Sequence, residues 1–247
     1  LIFRTIAIEF RSKQLAKAWR QFWDVNFSLS SILSSFLIGI TLGNLAWGIP
    51  VDDEKEFVGG FLTLIHPYSL LMGVTTLALF MMHGAIYVTM KTEGELRDKA
   101  RKWINPAIIF FILCYATVTM ATLLYLPHMI RIIKEQPIFF VIPVLGMLAI
   151  ANIPREIHRR RDFNAFVSSC AAMIFLMALF GIGMFPDLVY SNPNPQHSLT
   201  IYNAASSQKT LFIMLIVALI GMPIVLTYTL SIYWIFRGKV KLEPTSY

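Results

Sequence analysis

Six long apolar stretches, separated by short polar segments, account for most of the chain. They cover approximately residues 26–48, 66–90, 104–128, 137–154, 164–186 and 209–235. The length of each stretch is close to or above the roughly 20 residues that a helix needs to cross the hydrocarbon core of a bilayer. Because lipid offers no hydrogen-bond partners to the backbone, each stretch is predicted to be a helix. The pattern therefore predicts an all-α fold, a polytopic membrane helix bundle.

The fourth stretch is the weakest of the six, since it is short and contains Pro137, Pro143 and Pro154. It is still predicted to span the membrane, because a soluble hairpin there would expose the apolar residues 139–142 to water. The charge pattern described below supports the same conclusion.

The chain opens at Leu1 with apolar residues that are typical of the end of a helix. There is no positively charged leader region and no cleavage site, so a signal peptide is not predicted. We expect residues 1–247 to form a single transmembrane domain, with six complete transmembrane helices plus the end of a seventh. We expect this domain to be an N-terminally truncated fragment of a larger subunit.

Lysine and arginine are unequally divided between the connecting segments. Sixteen of them lie in residues 10–22, 91–103, 155–163 and 237–247, which alternate spans place on one side of the membrane. The other side has only four, which are Lys55, Arg131, Lys134 and Lys209. Basic residues accumulate on the cytoplasmic side of membrane proteins, so the C-terminus is predicted to be cytoplasmic. Removing the fourth span would place the basic segment 155–163 on the wrong side.

Composition agrees with a membrane protein. Hydrophobic residues make up 56% of the chain and charged residues only 14%, with a mean hydropathy of +0.63. A soluble domain carries about 25% charged residues. The net charge of +7 does not indicate nucleic-acid binding, because the basic residues form short blocks between apolar runs and not a basic face.

His83 is the clearest ionisable residue inside a predicted span, and ionisable groups in lipid are functional candidates by default. One interpretation is a heme ligand or a member of a proton relay. The alternative is a neutral imidazole bonded to a neighbouring helix, with Gly84 and Ala85 allowing close packing.

Arg4, Glu9 and Arg11 form a second group of candidates at the end of the partial first helix, and Glu95 follows another span. The functional interpretation of the first group is the mouth of a proton or quinone path. The alternative is interface anchoring with ion pairs, which is common for arginine at helix ends. Ion pairing within its loop is a sufficient explanation for Glu95.

No metal site or heme site is predicted in this chain. Heme ligation needs axial donors that project into a bundle, and no two histidines are placed to hold a heme between them. Cys114 and Cys170 have no ligand at metal-binding spacing. No catalytic residue and no nucleotide, nucleophile or zinc motif is visible. The residues alone leave open a transporter, a membrane scaffold or one subunit of a larger complex.

Seven stretches together resemble subunit II of cytochrome bd-type ubiquinol oxidases, including the cyanide-insensitive relatives. In chain order these stretches are Glu9-Phe10-Arg11-Ser12-Lys13; Trp19-Arg20 with Trp23-Asp24; Gly43-Asn44-Leu45; His83-Gly84-Ala85 with residues 91–96; Met184-Phe185-Pro186; residues 198–204 with Ser206-Ser207; and residues 236–240. Their order and spacing follow the predicted topology from residue 1 to about residue 241.

The resemblance implies the heme-free subunit of a terminal quinol:oxygen oxidoreductase of the respiratory chain. In that family the heme b and heme d groups lie in the homologous subunit I. Subunit I oxidises quinol and reduces dioxygen to water, and some members hold a structural quinone in subunit II. The resemblance further implies a heterodimer in the bacterial inner (plasma) membrane and a full subunit of nine spans. It assigns Arg4, Glu9, Arg11, His83 and Glu95 only as proton-path or quinone-proximal candidates.

Two spans and most of a third of the family pattern have no counterpart in this sequence. In the family, that region carries a buried acidic residue that is thought to feed protons towards the hemes. Arg4, Glu9 and Arg11 are then the edge residues of this region. A secondary transporter or a membrane scaffold stays the alternative. A transporter would have broken helices in paired positions and charges near mid-membrane, of which only Pro143 and Pro223 give a hint.

Overall fold

A computed structural model describes residues 1–239, most of which are helical. The α-helices of this part, in chain order, are α1 (Ile2–Arg11), α2 (Lys17–Trp47), α3 (Pro67–Lys91), α4 (Gly94–Tyr125), α5 (Arg131–Glu135), α6 (Val141–His158), α7 (Asp162–Met184) and α8 (Gln208–Ile235). Six of them, α2, α3, α4, α6, α7 and α8, are long and apolar enough to cross a membrane. The predicted fold class, an all-α polytopic membrane helix bundle, is confirmed.

Two of the long helices begin well before the predicted spans. α2 starts at Lys17 and α4 starts at Gly94, whereas the apolar pattern placed these starts near residues 26 and 104. The prediction that residues 91–103 form a connecting segment was therefore wrong from Gly94 onward. A hydropathy pattern detects only the part of a helix that lies in lipid, and these helices continue beyond it with charged residues. Val240 of the family-like stretch 236–240 and Lys241 of the basic segment 237–247 lie outside the described residues.

A capping box stabilises the start of α3, at the end of the bundle opposite the basic blocks. Pro67 occupies the first position of α3, and the His66 Nδ1 atom accepts a hydrogen bond from the Ser69 N–H at 3.3 Å. The Ser69 hydroxyl in turn accepts from the His66 N–H at 3.1 Å. These two bonds satisfy amide groups that a helix leaves unpaired at its start.

α2 and α3 approach each other until their backbones touch. A Cβ atom built on Gly39 would lie 2.6 Å from the Met72 carbonyl oxygen, and one built on Gly43 would lie 2.7 Å from the Ser69 Cα atom. Gly73 of α3 meets Phe36 of α2 in the same way, at 2.6 Å. Glycines four residues apart on one helix are a known device for close helix contact in membranes.

The main core lies where α3, α4, α6 and α7 meet. Met82, Ile86, Ile104, Phe111 and Ile153 are fully buried there. α8 differs from the other long helices, because none of its residues is buried in residues 1–239. Its apolar surface on all sides is suited to lipid or to another protein chain.

The bundle has two chemically different ends. At the basic end, the Arg101 Nη2 atom donates to the Ile157 carbonyl oxygen at 2.9 Å, and the Lys91 ammonium donates to the Phe236 carbonyl oxygen at 3.2 Å. At the opposite end, which we call the loop end, residues 48–66, 126–140 and 185–207 connect the helices. The last of these segments contains a two-stranded antiparallel sheet, β1 (Asp187–Val189) and β2 (Leu199–Thr200).

Candidate functional site at the basic end

Three of the five predicted site residues lie on α1, which packs against the start of α2. The Arg11 guanidinium donates to the Asp24 carboxylate, with its Nε atom 2.6 Å from Oδ1 and its Nη2 atom 3.4 Å from Oδ2. This pair joins α1 to α2. The Glu9 carboxylate lies 3.9 Å from the Lys13 ammonium, one helical turn further along the chain. All four charged groups are exposed, so solvent can reach both pairs.

A cavity of about 670 Å³ opens between α1 and α2 beside these pairs. Glu9, Arg11 and Asp24 form part of its wall, together with the ring of Trp23. The Trp23 Nε1–H group is buried and has no hydrogen-bond partner within residues 1–239. A cavity with apolar ring faces, one unpartnered donor and acids at its rim is suited to ordered water or to a ring with carbonyl groups.

Arg4 lies one to two turns deeper on α1 and contacts α2 in a different way. Its guanidinium carbon is 5.6 Å from the centre of the Phe27 ring, a distance typical of a cation–π contact. Phe27 also lines the cavity. The structure thus brings Arg4, Glu9 and Arg11 to one helix pair, as their spacing suggests.

His83 lies on a different helix pair. Its Nδ1 atom is 2.9 Å from the Ser169 hydroxyl of α7, and its ring lies 5.2 Å from the Phe166 ring. The interpretation of an imidazole bonded to a neighbouring helix agrees with these contacts. The expectation that Gly84 allows close packing was wrong within this chain, because a Cβ atom built there meets nothing within 4 Å.

Glu95 lies in the first turn of α4 and is not part of the cavity wall. Its side chain is 92% exposed, and its carboxylate is 3.6 Å from the Lys99 ammonium, one turn along the same helix. This agrees with the expectation that a nearby ion pair explains its presence. The structure does not bring Glu95 together with the residues of α1.

An ion-pair cluster that the sequence did not reveal holds α4 against α7 at the basic end. Asp162, at the start of α7, accepts from Arg97 at 2.6 Å and from Arg101 at 2.9 Å, and both arginines belong to α4. The Asp162 side chain is only 11% exposed, so solvent screens these pairs weakly. In the sequence these arginines indicate only topology, because no local pattern connects them with an aspartate about 60 residues away.

A buried carboxylate was missed as well. Glu156 near the end of α6 is only 5% exposed, and its Oε2 atom accepts from the Asn164 side chain at 3.2 Å. Ser168 donates to the Asn164 carbonyl oxygen and accepts from the Asn152 side chain, both at 2.9 Å. The sequence placed residues 155–163 in a connecting segment, whereas α6 continues to His158 and carries Glu156 into the helix interface.

His128 connects three segments at the loop end. Its Nε2 atom is 2.8 Å from the Ala46 carbonyl oxygen, and its ring stacks on Tyr190 with centres 4.0 Å apart. Burial lowers the pKa of His128, against smaller opposing effects of the Ala46 carbonyl and Asp187. Burial also raises the pKa of Asp187, and nearby Arg131 and His128 counteract this rise.

Residues 1–239 contain no group of three or more histidine, cysteine, aspartate or glutamate side chains that could hold a metal ion. His83 uses one ring nitrogen for Ser169, and His158 follows in the last turn of α6 at the basic end. The other histidines, His66, His128 and His197, lie at the loop end. In the described part of the chain only His83 lies in the interior of a long helix, whereas a bis-histidine heme requires two such histidines on facing helices.

Comparisons with known proteins point to one family. The family described as cytochrome bd terminal oxidase subunit II matches residues 1–236. The chain is 29% identical to cytochrome bd-I ubiquinol oxidase subunit 2 of Escherichia coli (strain K12), over 98% of this chain and 72% of that protein. It is also 29% identical to cytochrome bd ubiquinol oxidase subunit 2 of Bacillus subtilis (strain 168), over 100% of this chain and 72% of that protein.

The fold is similar to that of a solved oxidase. A chain in the structure of bd oxidase from Geobacillus thermodenitrificans superimposes with a TM-score of 0.71, covering 97% of this chain and 74% of that chain. The sequence identity is 15%, so this likeness concerns the fold alone.

Proposed function

The chain belongs to the cytochrome bd terminal oxidase subunit II family, and on this premise we propose that it is the non-catalytic, heme-free subunit of a quinol-oxidising, oxygen-reducing complex. The observation that carries the proposal is the family match, which extends from residue 1 to residue 236. The transporter and scaffold alternatives are not favoured by this match.

The proposed division of labour places heme b and heme d in a homologous partner subunit, with which this chain forms a heterodimer. When bound there, the hemes supply the electron transfer and the oxygen chemistry. This assignment is supported by the position of His83, the one histidine of residues 1–239 in the interior of a long helix. The apolar surface of α8, none of which is buried, and the exposed face of α2 offer area for such a partner.

The chain is a multi-pass membrane protein, and we propose the bacterial inner (plasma) membrane as its location. We further propose that the basic end and the C-terminus face the cytoplasm. This proposal is supported by the basic blocks that meet at one end of the bundle.

For the α1–α2 cavity we propose a position beside the path of protons or a structural quinone. Glu9 would bias the entry of protons at the cytoplasmic rim through its exposed carboxylate. Arg11 would hold α1 on α2 through Asp24, and Arg4 would maintain the deeper contact through Phe27. Glu95, which is exposed on the same end, would raise the local proton concentration, whereas His83 would hold α3 on α7.

Deletion of this chain tests the function most simply. We expect membranes that lack it to lose quinol-dependent oxygen uptake and the absorbance band of heme d, and plasmid-borne chain to restore both. A scaffold without a role in the oxidase would leave quinol oxidation normal.

The role of the α1–α2 cavity is tested by Glu9→Gln. We expect a severalfold lower rate of quinol-dependent oxygen uptake with unchanged heme absorbance, because the carboxylate charge at the proposed proton entry is lost while the complex still assembles. Glu54→Gln is the matched control, since Glu54 is an exposed acid at the loop end. Equal rates in both variants would contradict the proposed role of Glu9.

A further inference from the structure

An apolar groove of about 710 Å³ lies at the loop end, far along the chain from the α1–α2 cavity. One wall is formed by Ile132 and Phe139, and the other by Ala178, Gly181 and Ile182 in the last turns of α7. A Cβ atom built on Gly181 would meet nothing within 4 Å. The absent side chain of Gly181 therefore leaves room in the groove, and no packed neighbour fills it within residues 1–239.

One basic and one acidic side chain lie next to each other at the mouth of this groove. Arg131 and Glu135 lie one turn apart on α5 and both line the groove. Neither forms an ion pair with the other or with any residue in the described part of the chain. An arginine that precedes a glutamate by four residues has the less favourable orientation for pairing on a helix. Both side chains are thus available to a ligand.

We propose that this groove binds one phospholipid with a zwitterionic headgroup, of the phosphatidylethanolamine class. An acyl chain fills the groove along Gly181, the phosphate accepts hydrogen bonds from Arg131, and the ammonium group donates to Glu135. Guanidinium–phosphate contacts are short and charge-assisted, and they add geometric specificity to apolar burial. The proposal requires only the intact complex, and it does not depend on the function assigned to the α1–α2 cavity.

The charges around the mouth favour a zwitterion over an anionic lipid. Asp187 lies close enough to Arg131 for the arginine to lower its pKa, although burial raises that pKa overall. Arg131 and Glu135 both line the groove, so a headgroup with a phosphate and an ammonium finds a partner for each charge, whereas an anionic headgroup without the ammonium leaves Glu135 unpaired beside it. A headgroup with one phosphate and one ammonium matches the arrangement.

Two substitutions address the two halves of the site. Gly181→Leu fills the groove, and its matched control is Gly84→Leu on α3, where a built Cβ atom also meets nothing within 4 Å. Arg131→Gln removes the phosphate partner, and its control is Lys134→Gln on the same short helix. Lys134 is exposed and does not line the groove.

The experiment is native mass spectrometry of the purified whole complex, after removal of bound lipid and titration with phosphatidylethanolamine or phosphatidylglycerol. We expect the wild-type complex and both controls to retain one phosphatidylethanolamine in preference to phosphatidylglycerol. We expect Gly181→Leu and Arg131→Gln each to weaken this binding by about tenfold or more. The first substitution removes the space for the acyl chain, and the second removes the charge-assisted hydrogen bonds to the phosphate.

Equal binding to all five proteins would overturn the site. Equal retention of phosphatidylglycerol by the wild-type complex would overturn the zwitterionic assignment. If Gly181→Leu fails to assemble, Arg131→Gln alone decides, because an exposed arginine can be replaced without disturbing the helix packing.

Discussion

His83 is a polar residue inside an apolar helix, and its neighbours explain how it is tolerated there. Its ring nitrogen meets the Ser169 hydroxyl, and its ring face meets Phe166. Both partners lie on α7, so the imidazole joins two helices in an environment where an unbonded polar group would be costly. The contacts indicate a contribution to helix association.

His83→Ala is therefore expected to lower assembly or stability more than it changes the hemes. Loss of the hydrogen bond alone costs about 1 kcal/mol, and the lost ring contact adds to this. The measurements are the yield of purified complex, its melting temperature and its reduced-minus-oxidised spectrum. His158→Ala, at an exposed position at the end of α6, is the control. A heme band that disappears from a normally assembled complex would refute this interpretation.

Some functional candidates could be predicted from the sequence, whereas two buried acidic residues could not. His83 and the acids and bases of α1 stood out because charge is rare in apolar stretches. Glu156 and Asp162 did not stand out, because they are surrounded by arginines in the printed sequence. Their importance comes from burial and from partners on other helices, which depend on how α4, α6 and α7 assemble.

At the scale of helices, the number and order of spans followed directly from hydropathy. The contacts between helices did not. Gly39 and Gly43 have the four-residue spacing of close helix contacts, but only the structure shows that α3 lies against them. Gly84 looked equivalent in the sequence, yet it faces open space in this chain.

Gly43→Leu is predicted to prevent the α2–α3 contact, because even a Cβ atom would lie 2.7 Å from the Ser69 backbone. Overpacking of this kind costs about 1–3 kcal/mol or more. The amount of complex in solubilised membranes should fall sharply. Gly84→Leu, which adds the same side chain to α3, should leave that amount nearly unchanged. Equal amounts of the two variants would show that the close α2–α3 contact does not matter for assembly.

The segments at the loop end form a cap whose stability should depend on pH. The ordinary pKa of histidine is 6.5, and burial lowers the pKa of His128 and of His66. Unfolded chains then bind protons that the folded cap does not, so stability is complete above about pH 6.5 and decreases as the pH falls below it. The raised pKa of Asp187 acts in the opposite direction, at pH values upward from its ordinary pKa of 3.8.

We therefore expect the melting temperature of the complex to decrease as the pH is lowered from about 7.5 to about 5.5. His128→Gln should have a lower melting temperature at neutral pH, since the stacking on Tyr190 is lost, but a smaller change with pH. His158→Gln, at an exposed position, should keep the wild-type change. An unchanged pH dependence in His128→Gln would exclude His128 as its source.

At the scale of the whole molecule, the chain leaves much apolar surface uncovered. All of α8 is unburied, and α2 exposes large apolar residues such as Phe22, Leu29 and Leu33. Lipid can cover such surface, and so can the partner subunit that the family assignment implies. Composition made this membrane character predictable, whereas the choice between lipid and protein at each face depends on a chain that the sequence does not contain.

The central claim is membership of a working quinol oxidase, and one purification tests it most directly. The protein is tagged and isolated from its native membrane, and its reduced-minus-oxidised spectrum and oxygen uptake with quinol are recorded. We predict a second multispan subunit, absorbance bands of b-type and d-type heme, and quinol-dependent oxygen uptake. A preparation with neither heme nor partner would contradict the oxidase assignment, although the six-span topology would stand.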